Sequence, residues 1–361
     1  MKNSKKVLFH LNYLYHLPAV EPIIELFASD KNYDTAIFLA LDFDYKFGIF
    51  RKKKPNKYLN NFISKDIRLV ENNEDFDIVF VTDVVDKTLY PNAKLCMIYH
   101  GPTFNKTVTY RELKKHDSDN YLIFAESQYA VDRLVESKSL GNSSTEIVGF
   151  PKMDPILNKK YNRSNILKQL ELDVNKKTVL YAPTYKPTSL YDLKDEIFEA
   201  TKDNNLIVKL HHYSWMGKYA KRCQSKLIQK QIDKYSHAIL IPRESYNIIP
   251  LFAAADTLIS EASGALTEFI ITGKVGIVYN IANRGEKHSD NQPLLSIEKD
   301  FLKDAHIQVD SPANLKQAIQ LALNPKKERL TTIQKNKEKY FYICDGKASQ
   351  RIKSIVDNLF L

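Results

Sequence analysis

Glycine is scarce in this sequence, 10 residues in 361, and tryptophan occurs once. Neither G-x-G-x-x-G nor G-x-x-x-x-G-K-[ST] is present, which removes the glycine-cradled dinucleotide motif and the P-loop. Cysteine is scarcer still: Cys96, Cys223 and Cys344 lie far apart with no C-x-x-C. An odd, sparse set supports neither a disulfide framework nor a thiolate zinc site and fits a reducing cytoplasm. Cys96 sits in the apolar run KLCMIY and reads as a small core hydrophobe. No run of ~18 apolar residues is available to span a bilayer. The start, MKNSKKVLFHLNYLYHL, has a basic head, but His10, Asn12 and His16 break its apolar stretch. No small-residue cleavage site follows, which argues against a secretory leader. Acidic charge is in deficit, 43 residues against 53 basic, for a net charge of +10. Such an excess implies anionic partners. The cations are mostly lysine and are spread along the chain, so base reading of nucleic acid by arginine is disfavoured.

What is plentiful is core-forming material: 43% hydrophobic and 27% charged residues, a globular balance. At roughly 150 residues per domain the length suits two domains. Short apolar runs alternate with longer helical patterns, the signature of βαβ units and parallel sheets. Strands are expected at 6–11, 35–41, 77–83, 95–99, 121–126 and 146–149. A second series is expected at 178–182, 206–210, 238–242, 257–260, 275–280 and 307–309. Between them, 151–176 is polar, rich in Lys and Asn and carries two prolines, so it reads as a linker. The expected class is α/β, two doubly wound parallel-sheet domains with a cleft between them, ligands lying at the carboxyl ends of strands. The divisions are 1–155, 156–345 and a C-terminal helix, 346–361, packing across the junction.

Four polar constellations fall at those strand ends. Tyr99-His100-Gly101-Pro102-Thr103 follows LCMIY; a His there can exchange protons near neutral pH, and the Gly lets backbone approach a ligand. Its bland alternative is a His satisfied by loop hydrogen bonds. Tyr181-Ala182-Pro183-Thr184-Tyr185-Lys186 offers Thr184 and Lys186 as donors to phosphate oxygens; a turn with a solvated lysine is the competing interpretation. In Lys209-Leu210-His211-His212-Tyr213, two-residue alternation would put Lys209 and His211 on one face, able to neutralise a diphosphate. His211 and His212 face opposite ways and no carboxylate–His spacing supports them, so no metal site is expected. Ser260-Glu261-Ala262-Ser263-Gly264-Ala265-Leu266-Thr267-Glu268 opens a helix stopped near Gly273. Ser263 is a candidate N-cap, its helix start with Gly264 a candidate anion site, and Glu268 a candidate ribose contact. Capping alone would also explain the serine.

In order along the chain these stretches resemble the CDP-glycerol glycerophosphotransferase family, the teichoic-acid primases and polymerases. YHGPT resembles the family's H-G-x-P segment, GFPKMD at 149–154 its G-Y-P-R-N-D, and YAPTYK its Y-A-P-T-[WY]-R. KLHHY is similar to [KR]-x-H-P/Y, NIIPLFAAADTLISEASGALTEF to the long segment ending T-D-Y-S-S, and DGKASQR at 345–351 to D-G-x-A-[ST]-x-R. The resemblance implies a GT-B fold, with CDP-glycerol as co-substrate and no tightly bound cofactor. It implies attack by a hydroxyl of a lipid-linked or polymer acceptor on the β-phosphorus, releasing CMP. His100 would be the base, His211 would meet the donor phosphates, and Ser263 and the helix start would bind phosphate. Lys186 stands where the family has arginine, and Glu261-Ala262-Ser263-Gly264 departs from Asp-Tyr-Ser-Ser. That departure is similar to the S-G-G-x-x-E of nucleotide-sugar 2-epimerases, so another GT-B enzyme of capsule or lipopolysaccharide synthesis, a sugar or Kdo transferase or an epimerase, is the alternative. Residues 45–62 interleave aromatics with Arg51, Lys52, Lys53, Lys54 and Lys57, a pattern suited to an anionic membrane surface or to an ordinary solvated loop. A cytoplasmic enzyme, peripheral at the inner face of the membrane and without a nucleic-acid partner, is the expectation.

Overall fold

The apolar runs become interior strands of two parallel sheets in the computed structural model of the chain. It describes residues 4–40, 43–46, 50–53, 59, 67–70, 74–105, 107–116, 119–215, 224–281 and 303–360. Two units result: residues 1–44, 51–158 and 338–361 form the first, and 45–50 and 159–337 the second.

The strands of the first half are β1 (Lys5–Leu11), β2 (Tyr33–Leu39), β3 (Phe43–Lys46), β4 (Phe50–Lys53), β5 (Arg68–Leu69), β6 (Ile78–Val81), β7 (Lys94–Met97), β8 (Tyr121–Ala125) and β9 (Ser144–Ile147). The order β5-β2-β1-β6-β7-β8-β9 makes one sheet, while β3 and β4 pair with each other. The sheet's pairings are all parallel. A parallel sheet is covered on both faces, so its strands read as continuous apolar runs rather than alternating ones. β1 shows this: Phe9 stacks on Phe80 with centroids 4.8 Å apart, and Phe27 from the helix Leu17–Ala28 meets Phe80 edge-on at 5.4 Å. One residue earlier, Leu8 faces the other way, into a cluster with Val79, Val81, Leu95, Met97, Ile123 and Leu134. Each such side chain contributes roughly 1.5–3 kcal/mol by leaving water. His10 joins this second face as a structural residue; its Nδ1 lies 2.8 Å from Tyr90 Oη, and burial pushes its pKa down to about 4.

The second unit holds β10 (Thr178–Tyr181), β11 (Asn205–Val208), β12 (Ala238–Leu240), β13 (Thr257–Ser260), β14 (Ile277–Tyr279) and β15 (Ile307–Val309), in the order β12-β11-β10-β13-β14-β15. The chain runs outward from β10 to β12, then returns to lay β13 on the other side of β10. The order reverses between β10 and β13, as it does between β1 and β6, and such switch points are where parallel sheets leave room for ligands. The helix Gly264–Phe269 and the turn Ile270–Thr272 end at Gly273, whose φ of 74° suits a residue without Cβ.

The boundary at 158/159 falls inside the expected linker, but 151–176 is built structure. It carries the helices Asp154–Leu157 and Arg163–Gln169, and Met153 and Leu167 are fully buried. Near the C-terminus, helices Lys327–Tyr340 and Ala348–Phe360 flank a break at DGKAS, and the chain returns to the first unit from residue 338. There Lys353 pairs with Asp30 at 2.7 Å and Tyr33 Oη donates to Asp357 at 2.6 Å.

Candidate active site

In the first unit the carboxyl ends of β1, β6 and β7 are neighbours, and each delivers polar residues. Beyond β1 come Asn12 and His16, beyond β6 Thr82 and Asp83, and beyond β7 His100. The His100 Nδ1 lies 3.3 Å from the Thr82 carbonyl oxygen and 3.3 Å from Asp83 Oδ1. Both partners only accept, so Nδ1 carries the proton and Nε2 of the neutral ring keeps its lone pair. The His16 ring stacks on that of His100, centroids 3.9 Å apart and planes within 10°. Its Nδ1 is 3.0 Å from Thr82 Oγ1 and 3.7 Å from Asp83 Oδ2, and Asn12 donates to Asp83 at 3.2 Å. Burial alone would raise the Asp83 carboxyl; His100 and His16, with the hydrogen bond from Asn12, hold it down at about 2.

The loop after His100 is pinned from below. Glu126, buried at the end of β8, accepts from the Thr103 N–H at 2.5 Å, the Phe104 N–H at 3.2 Å and the Thr103 hydroxyl. Lys152, also buried, donates to the His100 carbonyl at 3.3 Å. His16, Asp83, Glu126 and Lys152 were not singled out from the sequence. Asp83 ends the expected strand 77–83, and that position was its one visible signal. Ligand-type atoms of His16, Asp83 and His100 lie within 4.8 Å of one another. A shared ion would need converging lone pairs, whereas those of two stacked rings lie in parallel planes.

In the second unit the ends of β11, β10 and β13 are adjacent, which collects the other three constellations. Glu261, fully buried, accepts from the Thr184 N–H at 2.6 Å and the Ser189 N–H at 2.5 Å, fixing the loop after β10. The Thr184 hydroxyl donates to the Pro187 carbonyl, so its proton is committed inside the loop rather than offered to a ligand. Lys186 is exposed. Ser263 takes the N-cap place with extended backbone, but its hydroxyl makes no capping bond. Instead it lies 3.0 Å from Ser260 Oγ, which itself donates to the Ala182 carbonyl at 2.6 Å, leaving Ser263 as donor of the pair. Gly264 opens the helix, and Glu268 is buried one turn on. The His211 Nδ1 accepts the Tyr213 N–H at 3.1 Å, so the neutral ring carries its proton on Nε2 as a donor. Tyr185 packs on the His211 ring at 4.8 Å and joins the loops after β10 and β11.

Lys209 is the unusual member. It is 8% exposed, and its ammonium has neither ion pair nor hydrogen bond among the described residues. Desolvation pushes its pKa down to about 8. A buried ammonium without counter-charge is costly, and an anionic ligand would supply the missing partner.

Residues 92–358 match the family described as CDP-glycerol:poly(glycerophosphate) glycerophosphotransferase. The chain belongs to this family. Teichoic acid glycerol-phosphate primase of Bacillus subtilis (strain 168) is 26% identical over 270 residues, which cover 70% of this chain and 61% of the primase. The chain therefore spans 61% of the length of the curated relative it matches. Among solved structures, a variant of the wall teichoic acid polymerase TagF superposes with a TM-score of 0.72 at 15% identity, covering 99% of this chain and 89% of the other. The same polymerase soaked with CDPG gives 0.70 at 15% identity, with coverages of 98% and 88%. UDP-GlcNAc 2-epimerase from Neisseria meningitidis bound to UDP-GlcNAc gives 0.61 at 15% identity, covering 98% and 100%. The two parallel-sheet α/β units thus have the GT-B type of fold expected from the sequence, and the family match favours the glycerophosphotransferases over the epimerases. His100, Thr184, Lys186, Lys209, His211, Ser263, Gly264 and Glu268 all lie within the matched span.

Proposed function

We propose that the chain transfers glycerol phosphate from CDP-glycerol to a hydroxyl of a surface-polymer acceptor, lipid-linked or polymeric, and releases CMP. The observation that carries this is Lys209, a largely buried side chain whose ammonium has no partner among the described residues, beside the switch point of the second sheet, a place that suits an anion. A nucleoside diphosphate supplies one. The second unit is then the donor-binding part: Lys209 and Lys186 bring positive charge, His211 donates from Nε2, and the backbone N–H groups at the helix start, by Ser263 and Gly264, complete the phosphate contacts, the Ser263 hydroxyl proton being held by Ser260. Glu268 stands one turn in, for ribose. The first unit takes the acceptor. Its hydroxyl oxygen attacks the β-phosphorus, the bond from that phosphorus to the bridging oxygen breaks, and CMP leaves with the electron pair. The hydroxyl proton passes to His100 Nε2. No helix among the described residues is long and apolar enough to cross a membrane. Access to a lipid-linked acceptor is assigned to reversible docking at the cytoplasmic membrane face through 45–62, a segment largely outside the described residues.

The test is turnover of CDP-glycerol on a poly(glycerol phosphate) oligomer, with UDP-GlcNAc as the competing substrate. General base catalysis is worth roughly 10²–10⁴-fold, so His100→Ala should lose activity by that factor while CDP-glycerol binding holds. Conversion of UDP-GlcNAc but not CDP-glycerol would move the chain to the epimerase interpretation, and unchanged turnover in His100→Ala would remove His100 from the mechanism.

A further inference from the structure

Resting on His100 as the proton acceptor, we infer that Asp83 is its positioning residue, fixing the ring's tautomer and orientation, with His16 as the stacked plate that holds its plane. Three observations converge on this. The His100 Nδ1 faces two groups that only accept, the Thr82 carbonyl and the Asp83 carboxylate, each at 3.3 Å. The Asp83 carboxylate is itself fixed: Asn12 donates to Oδ2 at 3.2 Å, leaving Oδ1 turned to His100. The His16 ring lies parallel to that of His100 at 3.9 Å, and its own Nδ1 is tied to Thr82 Oγ1 at 3.0 Å, so the stack cannot easily turn. The three elements come from the ends of three adjacent strands, which gives the arrangement a rigid base.

The chemical consequence follows from the tautomer. With Nδ1–H directed at Asp83, the lone pair sits on Nε2, the edge of the ring away from the carboxylate. When an acceptor hydroxyl gives its proton to Nε2, the imidazolium that forms already has a carboxylate on its Nδ1–H. A carboxylate so placed stabilises the cation without being protonated itself. An amide in its place can direct its NH2 at Nδ1, which would move the ring proton to Nε2 and leave no base where the hydroxyl arrives. Asp83→Asn changes shape least while reversing this polarity.

The test uses the full chain, CDP-glycerol and a poly(glycerol phosphate) oligomer, with 15N-labelled histidine for the imidazole resonances. The parent should show His100 protonated on Nδ1 in its neutral form, and Asp83→Asn should shift it to Nε2. Turnover of Asp83→Asn should fall by about 10²–10⁴-fold in kcat, with the KM for CDP-glycerol within about twofold, since the donor site is untouched. Thermal melting reports whether each variant is folded, and Asp83→Glu, which keeps the acceptor, should recover part of the rate. A parent His100 protonated on Nε2, or an Asp83→Asn enzyme with parental kcat while His100→Ala is inactive, would overturn the inference and leave His100 as base. An active His100→Ala would instead remove the base, and the 15N resonances would still judge the Asp83–His100 pairing. A chelator that abolishes turnover, with Zn²⁺ or Mg²⁺ restoring it and shifting both histidines' resonances, would assign the trio to a metal and also overturn the inference.

Discussion

The Asp154 carboxylate accepts from the Ser349 N–H at 2.7 Å and from the Ser349 hydroxyl at 2.6 Å, 195 residues further along the chain. The same carboxylate takes the Ala348 N–H at 3.2 Å, so it caps the helix Ala348–Phe360 from outside. Neighbouring contacts repeat the theme: Arg351 donates to the Val148 carbonyl at 3.0 Å and pairs with Asp345, and Asn158 donates to the Gly346 carbonyl at 2.8 Å. Gly346, at φ 74°, leaves no room for a Cβ against the Asn158 side chain. Two stretches that carry the family resemblance in the sequence, GFPKMD and DGKASQR, hold each other in the first unit. Asp154→Ala would strand two buried helix N–H groups and a buried hydroxyl. The expected loss is roughly 2–4 kcal/mol, from a lost cap and unsatisfied donors together, read by urea unfolding. Residual enzyme should keep its KM for CDP-glycerol. A variant as stable as the parent would show that water replaces the carboxylate.

That clasp marks the limit of what the sequence discloses. Strands such as 6–11, 121–126 and 257–260 were legible because a strand buried on both faces must be apolar throughout. The two-residue β5 and the ribbon β3–β4 were not, because they have too few apolar residues to make a run. His100, Lys209 and His211 were legible as polar residues directly after apolar runs. His16 was not: its partner Thr82 is 66 residues away, and only the pairing of β1 with β6 brings them together. Ser263 was legible as a helix start, yet where its hydroxyl turns depends on Ser260 and the Ala182 carbonyl from another strand. Asp154 lay in a stretch whose Lys and Asn content suggested an open linker, and its buried partners sit near the chain's other end.

Glu261 should matter through the loop that it holds. It is fully buried and holds the loop after β10 by two backbone N–H groups, one on each carboxylate oxygen. Glu261→Gln keeps the size but sets an NH2 against one of those N–H groups. The expected cost is roughly 1–3 kcal/mol of stability. The loosened loop carries Tyr185 and Lys186, so the KM for CDP-glycerol should rise more than kcat falls. A kcat loss with unchanged KM would show that Glu261 does more than hold the loop.

On the proposed donor site, Lys209 should make CDP-glycerol binding dependent on pH in a definite direction. Its pKa of about 8 means the ammonium is charged below that value and lost above it. A bound diphosphate favours the charged form, so the pKa in the complex lies higher and binding takes up a proton between the two values. Affinity for CDP-glycerol should be fully present at pH 7 and fall as the pH rises from 8 to 9.5, by at most about tenfold per pH unit. Calorimetry in buffers of different ionisation enthalpy would register the proton uptake. Lys209→Met should bind more weakly at pH 7 and show a flat profile over that range. An unchanged slope in that variant would assign the titration to another group.

The segment 45–62 lies largely outside the described residues, and its composition suits the proposed docking. Tyr45, Phe47, Ile49, Phe50, Tyr58, Leu59 and Phe62 surround Arg51, Lys52, Lys53, Lys54 and Lys57. Aromatic rings suit the headgroup boundary, and each basic residue near an anionic surface contributes roughly 1 kcal/mol. Screening separates docking from an ordinary solvated loop, because the Debye length falls from ~10 Å at 0.1 M salt to ~3 Å at 1 M. Co-sedimentation with phosphatidylglycerol vesicles should therefore weaken at high salt. Replacing Lys52, Lys53 and Lys54 by serine removes three charges, roughly 3 kcal/mol if they act additively, which is above a hundredfold in partitioning. Turnover of a short soluble acceptor should be unaffected by the triple change, since only access to the surface is lost. Equal sedimentation of the triple variant and the parent would show that this segment does not dock.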